Sequence, residues 1–478
     1  MLDMTDDELK AKVDAYVDEV WEDVVSDITS LVRIRSVEDK SKATSEDPWG
    51  PANHEALRKA VEIADRLGLD AHDCDGYIGY ADLAGESDRY IATIAHTDVV
   101  PEGIGWTVDP YDVTRRDGYL MGRGVLDDKG PFTLSLYAAH FFAREVQRTG
   151  QKLPLTLRAI IGSEEETSMG DVKYYLDKFP QPEFCFSPDA DFPLICGEKG
   201  IMEGHFTSNC TVGGEGSAIV SIEGGTVPNA VCGLAEAVVR ANLADLPQRE
   251  HIELVAEGEG LVRITAHGKG GHASLPEDTL NAIGLLAHYL LDKGLVNEAQ
   301  KPFFELELLL CASGYDGESL GIKSANDRFG ALTIIGGTIH TQDCHLVQSW
   351  DTRFPDSIED TAIQDRLAEL AQAHGATNAI DEDKVPFYTD PASPQIQSLL
   401  KTYDEYTGRQ SEAVVIGGGT YARKFARACA FGPHDPYEEV PAWVGPEHGA
   451  DEAISEASLK TALKIYIVSI ARLMRVCA

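Results

Sequence analysis

Residues 89–101 read RYIATIAHTDVVP. The first half is apolar or β-branched without polar alternation, the pattern of a strand covered on both faces. It gives way abruptly to His96, Thr97 and Asp98. A buried strand ending in an imidazole and a carboxylate puts polar chemistry where open α/β sheets bind ligands, at the carboxyl ends of their strands.

The neighbouring segments extend this pattern. YIGYADLAG (77–85) and LPLTLRAIIGSEEET (153–167) read as further strands, the second ending in carboxylates. GRGVLDDKGP (122–131) has the glycines of a tight loop, and Pro131 suits the first turn of the helix that follows. GDVKYYLDKF (170–179) is helical, and the segment to about Leu67 places helical stretches around a polar loop. Strand and helix alternate, which predicts an α/β sheet covered by helices.

From about Phe192 the texture changes. EGHFTSNCTV (203–212), GLVRITAHGKG (260–270), ALTIIGGTIH (331–340) and HLVQSWDTRFP (345–355) read as strands. TLNAIGLLAHYLLDKG (279–294) and IEDTAIQDRLAELAQAHG (358–375) read as helices. This predicts an inserted α+β domain over 193–384. It would lie between two parts of one catalytic domain, 1–192 and 385–478, the second closing with a long helix over 454–476.

The chain has 478 residues, with 41 Lys+Arg against 79 Asp+Glu and a formal net charge of -38. Such a surface repels phosphate backbones and anionic bilayers, so neither nucleic acid nor membrane is expected as a partner. MLDMTDDELKAKVDAY lacks the basic and apolar regions of a secretory signal, and no apolar run approaches transmembrane length. Nine cysteines without a CxxC pair suggest reduced thiols and a cytoplasmic protein.

Five clusters carry candidate chemistry. His96 with Asp98 offers a metal-binding imidazole and a carboxylate to orient it, or simply a strand-end turn. Asp127 and Asp128 are adjacent carboxylates that are costly to bury without a cation, although one Asp alone would serve as a helix N-cap. Glu164, Glu165 and Glu166 follow a buried strand; two of them would act as metal ligand and general base, unless the triplet only starts a solvated loop. Asp189, with Asp191 nearby, sits in FSPDADFP, which would otherwise be an Asx-turn. His448, in GPEHGADEAI, is a ligand followed by a helix N-cap, or a surface histidine. Open zinc sites are built from His, Asp and Glu. No EF-hand, P-loop or GxSxG elbow competes with this reading.

Taken together, IATIAHTDVVPEG, GYLMGRGVLDDKGP, AIIGSEEET, FSPDADFPLICGEKG, GKGGHASLP, DTRFP, IGGGTYAR and HGADE cover nearly the whole chain. In this order they resemble the PepV-type dipeptidases, in the superfamily of dinuclear zinc peptidases that includes aminoacylases, carnosinases and succinyl-diaminopimelate desuccinylases. The resemblance implies a phosphorylase/hydrolase-like zinc-peptidase catalytic domain with an inserted α+β lid. It implies two zinc ions, with manganese or cobalt as substitutes: one held by His96, Asp127 and Asp189, the other by Asp127, Glu166 and His448. Asp98 would orient His96, and Glu165 would be the general base. The alternative alignment through Glu164 shifts that pair by one. His272 would stabilise the oxyanion. Arg353 and Gly418, Gly419 and Thr420 would receive the substrate carboxylate. The Asp127–Asp128 peptide is expected to be cis. The family's substrate-side asparagine has no secure match, Asn229 being a guess.

The implied function is hydrolysis of short peptides with a free N-terminus, by a monomer whose lid completes the site. The alternatives are an amidohydrolase for N-acyl amino acids and a peptide- or metal-binding homologue without catalysis.

Overall fold

The computed structural model describes residues 4–258, 260–312 and 314–478. The chain forms two compact units: one of residues up to Gly197, Tyr388–Val414 and Gly419–Ala478, the other of Glu198–Phe387 and Val415–Gly418. Val415–Gly418, read in the sequence as part of the returning catalytic segment, therefore belongs with the second unit.

The first unit is organised around a mixed sheet. Its central strands, Thr156–Gly162, Tyr90–His96, Phe184–Ser187 and Ala428–Ala430, run parallel in that spatial order. All seven residues of Tyr90–His96 are buried, as an unbroken apolar run requires when helices cover both faces. The pairing register sets His96 directly beside Gly162. Gly162 has no room for a side chain, because a Cβ there would collide with the ring of Tyr421.

Helices Asp6–Val32, Lys129–Thr149 and Glu456–Cys477 pack on one another in this unit. The first starts with a capping box between Thr5 and Glu8, a device that satisfies two orphan N–H groups. The last begins at Ser455, whose hydroxyl accepts from Ser458 N. Thus the N-cap is Ser455, and neither Asp451 nor Glu452 takes that role.

The second unit carries an eight-stranded antiparallel sheet. Its order is Ile252–Gly258, Leu261–His267, Leu234–Arg240, Ile219–Gly224, Thr333–Gln342, His345–Phe354, Gly200–Ser208, Ala376–Lys384. Gly200–Ser208 alternates buried and half-buried residues along much of its length, as expected when one face meets the core. That core joins the sheet to residues of the helices Ala282–Asp292, Lys301–Leu310 and Asp360–Ala373. Among the described residues no helix is long and apolar enough to cross a membrane.

Candidate metal centre

Parallel pairing explains how distant motifs meet. His96 ends one strand, Ser163 follows the end of its neighbour, and Pro188–Asp189 follows the third, so all three chains turn over the same sheet end. Asp127 and Asp128 enter from the loop before the helix Lys129–Thr149, joined by a cis peptide.

Asp127 is the hub. Its Oδ1 lies 3.0 Å from His96 Nε2, and its Oδ2 lies 2.8 Å from His448 Nε2. Each carboxylate oxygen therefore faces a different imidazole. Asp189 Oδ2 is 3.6 Å from His96 Nε2, and Glu166 Oε2 is 3.1 Å from His448 Nε2. Ligand atoms of His96, Asp127 and Glu166 converge within 4.8 Å of one another, as do those of His96, Asp128 and Asp189. His448 has φ 59°, in the left-handed region that a non-glycine residue enters at a cost of about 1–3 kcal/mol.

The structure separates the three consecutive glutamates. Glu164 is spent on its own loop: its carboxylate accepts from Ser168 N at 2.7 Å, from Gly170 N at 2.7 Å, and from Thr167. Glu165 and Glu166 are left facing the cluster, each with one buried oxygen that has no hydrogen-bond partner.

Asp98 does two things. Its backbone carbonyl accepts from His96 Nδ1 at 3.0 Å, and its carboxylate oxygen Oδ1 stands farther off at 3.4 Å. That carboxylate accepts instead from the N–H groups of Glu165 and Glu166, at 3.0 and 3.2 Å. It pins the glutamate loop, while the carbonyl fixes the imidazole tautomer that leaves Nε2 a bare acceptor.

The charges do not balance without a cation. Burial, then the charge of Asp189, pushes Glu165 well above the usual carboxylate range. Burial, then Asp127, does the same to Asp189 and raises Glu166. Burial opposes the charge on His448, but Asp127 and Glu166 outweigh it and lift the imidazole to about 11. His96 Nε2 lies close to Asp127 without hydrogen-bond alignment, and Asp128 Oδ1 is buried without a partner. Buried oxygens and an imidazole nitrogen left unsatisfied at one point form a donor set suited to a divalent metal ion.

Three residues support the cluster from outside it, and of these the sequence marks only Asp128 as a candidate buried carboxylate. Asp128 accepts from His96 N at 2.9 Å and makes no N-cap bond, although it stands at the N-cap position. Glu452, fully buried, accepts from the N–H groups of Gly124, Leu126 and Asp127 and pairs with Arg123 at 2.6 Å. Asp171 accepts from Ser163 N, Glu164 N and the hydroxyl of Tyr421. Each holds backbone beside a cluster residue, and such support depends on pairing across the fold.

The remaining candidates lie mostly in the second unit. His272 pairs with Ala230 in a short two-stranded ladder, and the Asn229 carbonyl accepts from Ala273 N at 2.9 Å. Ser274 N donates to His272 Nδ1 at 3.2 Å, so the neutral ring carries its hydrogen on Nε2. Desolvation, then Arg353, lowers the pKa of His272 and favours that neutral form. Arg353 is buried; it donates to Asp351 through Nε and Nη2 at 2.8 and 2.6 Å, and to the Gly417 carbonyl at 3.1 Å. Gly418 belongs to the second unit, whereas Gly419 and Thr420 belong to the first. Thr420 is buried, and its hydroxyl accepts from Ala422 N.

Residues 92–472 match the model of peptidase family M20/M25/M40. A protein of Staphylococcus haemolyticus, named as a proposed dipeptidase, is 32% identical over 477 residues, which covers 96% of this chain and 98% of its own length. Another of Staphylococcus aureus strain USA300, named likewise, is 30% identical over 96% of this chain and 98% of its own. The structure of human carnosine dipeptidase 1 superposes with a TM-score of 0.59 at 14% identity, covering 98% of this chain and 100% of that one. A dipeptidase of Saccharomyces cerevisiae gives 0.60 at 13% identity, covering 98% of each. At these identities the structural matches speak for the fold alone.

Proposed function

The chain belongs to peptidase family M20/M25/M40, a metallopeptidase family of hydrolases, and from that premise we propose that it is a dipeptidase of the PepV type that binds two divalent metal ions. The observation that carries this reading is Asp127, whose two oxygens face His96 and His448 separately. His96, Asp127 and Asp189 would hold one ion; Asp127, Glu166 and His448 would hold the other. Zinc suits these donors, and manganese or cobalt would substitute. Bound metal would acidify a coordinated water and polarise the scissile carbonyl.

Glu165 is the general base. Its carboxylate takes a proton from the attacking water and later delivers one to the leaving amine nitrogen. Asp98 holds that glutamate in place through the loop N–H groups. His272, neutral and protonated on Nε2, donates to the carbonyl oxygen as negative charge develops there. Arg353, with the Gly418–Gly419–Thr420 segment, takes the C-terminal carboxylate, which restricts substrates to short peptides. The enzyme acts as a monomer on small peptides in the cytoplasm.

The test is hydrolysis of a dipeptide panel with N-acetylated counterparts. Chelator-stripped protein would be reloaded with zinc or manganese, for the wild type and Glu165→Ala. Metal-restored cleavage of free dipeptides, lost in the variant, supports the proposal. Cleavage of the N-acetyl forms instead makes the protein an N-acyl amino acid amidohydrolase. Metal uptake without any cleavage leaves a non-catalytic binding homologue.

A further inference from the structure

Asp351 and Arg353 stand two residues apart on the strand His345–Phe354, so their side chains share one face of the second unit's sheet. Asp351 is fully buried and closes the Nε/Nη2 edge of the guanidinium. A guanidinium offers a second two-pronged edge, Nη1/Nη2, and this is the edge left for another carboxylate. One donor there already reaches the Gly417 carbonyl.

Glu203 approaches Nη2, the nitrogen that the two edges share. It pairs with Asp351 across the neighbouring strand, and its Oε1 lies 3.7 Å from Arg353 Nη2. That separation is too long for a hydrogen bond, yet well within Coulombic reach. On the far side of Glu203 stands Glu382, which is itself paired with Lys384 at 2.6 Å. His272 also lies within reach of the charges of Arg353 and Asp351.

We infer that Asp351 and Glu203 are positioning residues that set how Arg353 takes a carboxylate: Asp351 fixes the guanidinium so that its Nη1/Nη2 edge is presented, and Glu203 competes for that edge. This rests on the reading that Arg353 receives the substrate's C-terminal carboxylate, and it names what tunes that contact. An incoming carboxylate must outbid Glu203, so affinity is held down for substrate and for the departing product that carries the same carboxylate. Burial, then the charge of Asp351, pushes Glu203 up to about 7, against the pull of Arg353. Competition therefore strengthens as the pH rises through neutrality.

The experiment measures kcat and KM of the metal-loaded full chain for a dipeptide and for its C-terminal amide, between pH 6 and 8, in the wild type, Glu203→Gln and Asp351→Asn. Glu203→Gln is expected to lower KM for the free acid about 5- to 10-fold, as loss of one close competing charge would, to leave KM for the amide unmoved, and to flatten the rise of KM with pH. Asp351→Asn is expected to raise KM for the free acid about 10-fold while kcat changes less. An acid-to-amide ratio unchanged in Glu203→Gln overturns the competitor role, and one unchanged in Asp351→Asn overturns the fixing role. A wild-type enzyme that treats acid and amide alike removes the premise about Arg353 itself, a result visible without any variant. Should Asp351→Asn fail to fold, Glu203→Gln alters only a half-buried side chain, and its pH profile still decides.

Discussion

The two units bury carboxylates in opposite ways. In the first, Asp127, Asp128, Glu165, Glu166 and Asp189 gather around His96 and His448, and several of their oxygens have no hydrogen-bond partner. In the second, Asp351 is satisfied at both oxygens by Arg353. Glu307 is a third case: wholly buried, with neither oxygen partnered. A buried ion pair with good geometry orients a side chain. A surplus of buried negative charge, focused on one point with imidazoles, calls for a cation. A lone buried carboxyl calls for a proton, and burial indeed pushes Glu307 well above its ordinary range.

The largest test of this contrast is Asp127→Asn. It removes the one carboxylate that both imidazoles face, so metal content per chain should fall, and activity should drop on the order of 10³-fold or more. Metal analysis after dialysis, alongside Glu452→Gln, separates the hub from a residue that only holds backbone. If Asp127→Asn retained wild-type metal content, the contrast would be broken.

A smaller loss is expected for Asp98→Asn, because this carboxylate touches the glutamate loop and not the cluster's centre. Outer partners of metal ligands contribute about 10- to 100-fold to affinity or activity. Titration with a zinc-selective chromophore reads the affinity, and steady-state kinetics reads the rate.

For Glu307 the expected direction reverses. Glu307→Met should stabilise the protein, by about 1–3 kcal/mol on the scale of burying an unpartnered polar group. The sign with pH follows from linkage. The folded-state pKa is raised, so between the unfolded and folded values the native chain holds a proton that the unfolded chain has released. Stability is therefore greatest below the unfolded value and falls as pH rises. Thermal unfolding of wild type and variant from pH 4 to 8 should show the gap widening with pH; a constant gap would mean that Glu307 does not titrate with folding.

The smallest effect belongs to the whole surface. A net charge of -38 repels itself, and salt shortens the reach of that repulsion from about 30 Å at 0.01 M to about 3 Å at 1 M. The unfolding temperature should climb with sodium chloride, whereas the paired Asp351–Arg353 contact, shielded from solvent, should not weaken in step.

How much of this was legible beforehand varies by residue. The strand Tyr90–His96 could be read because an unbroken apolar run has few other fates, and His96 stood at its end. Asp127, Glu166, Asp189 and His448 could be nominated from residue type and resemblance. By residue type alone Glu164 could not be told from Glu165 and Glu166, because three identical side chains in a row differ only in which loop N–H groups they meet; it was the resemblance that chose Glu165 and Glu166. Glu452 and Asp171 were invisible as supports, since what they hold lies far off in sequence.

The sequence by itself determined the chain's periodicities, its acidic surface, the alternation of strand and helix in the first unit, and a supply of His, Asp and Glu at strand ends. Those properties are local: each is set by residues close enough in the chain to shape one another's backbone. Tertiary structure alone decided that His96 lies beside Gly162, that each oxygen of Asp127 turns to a different histidine, and that Asp98 gives its carboxylate to the glutamate loop. The reason is electrostatic as well as geometric. A buried charge takes its partner from whatever the sheet register brings within a few ångströms, and register is fixed by the packing of the whole unit.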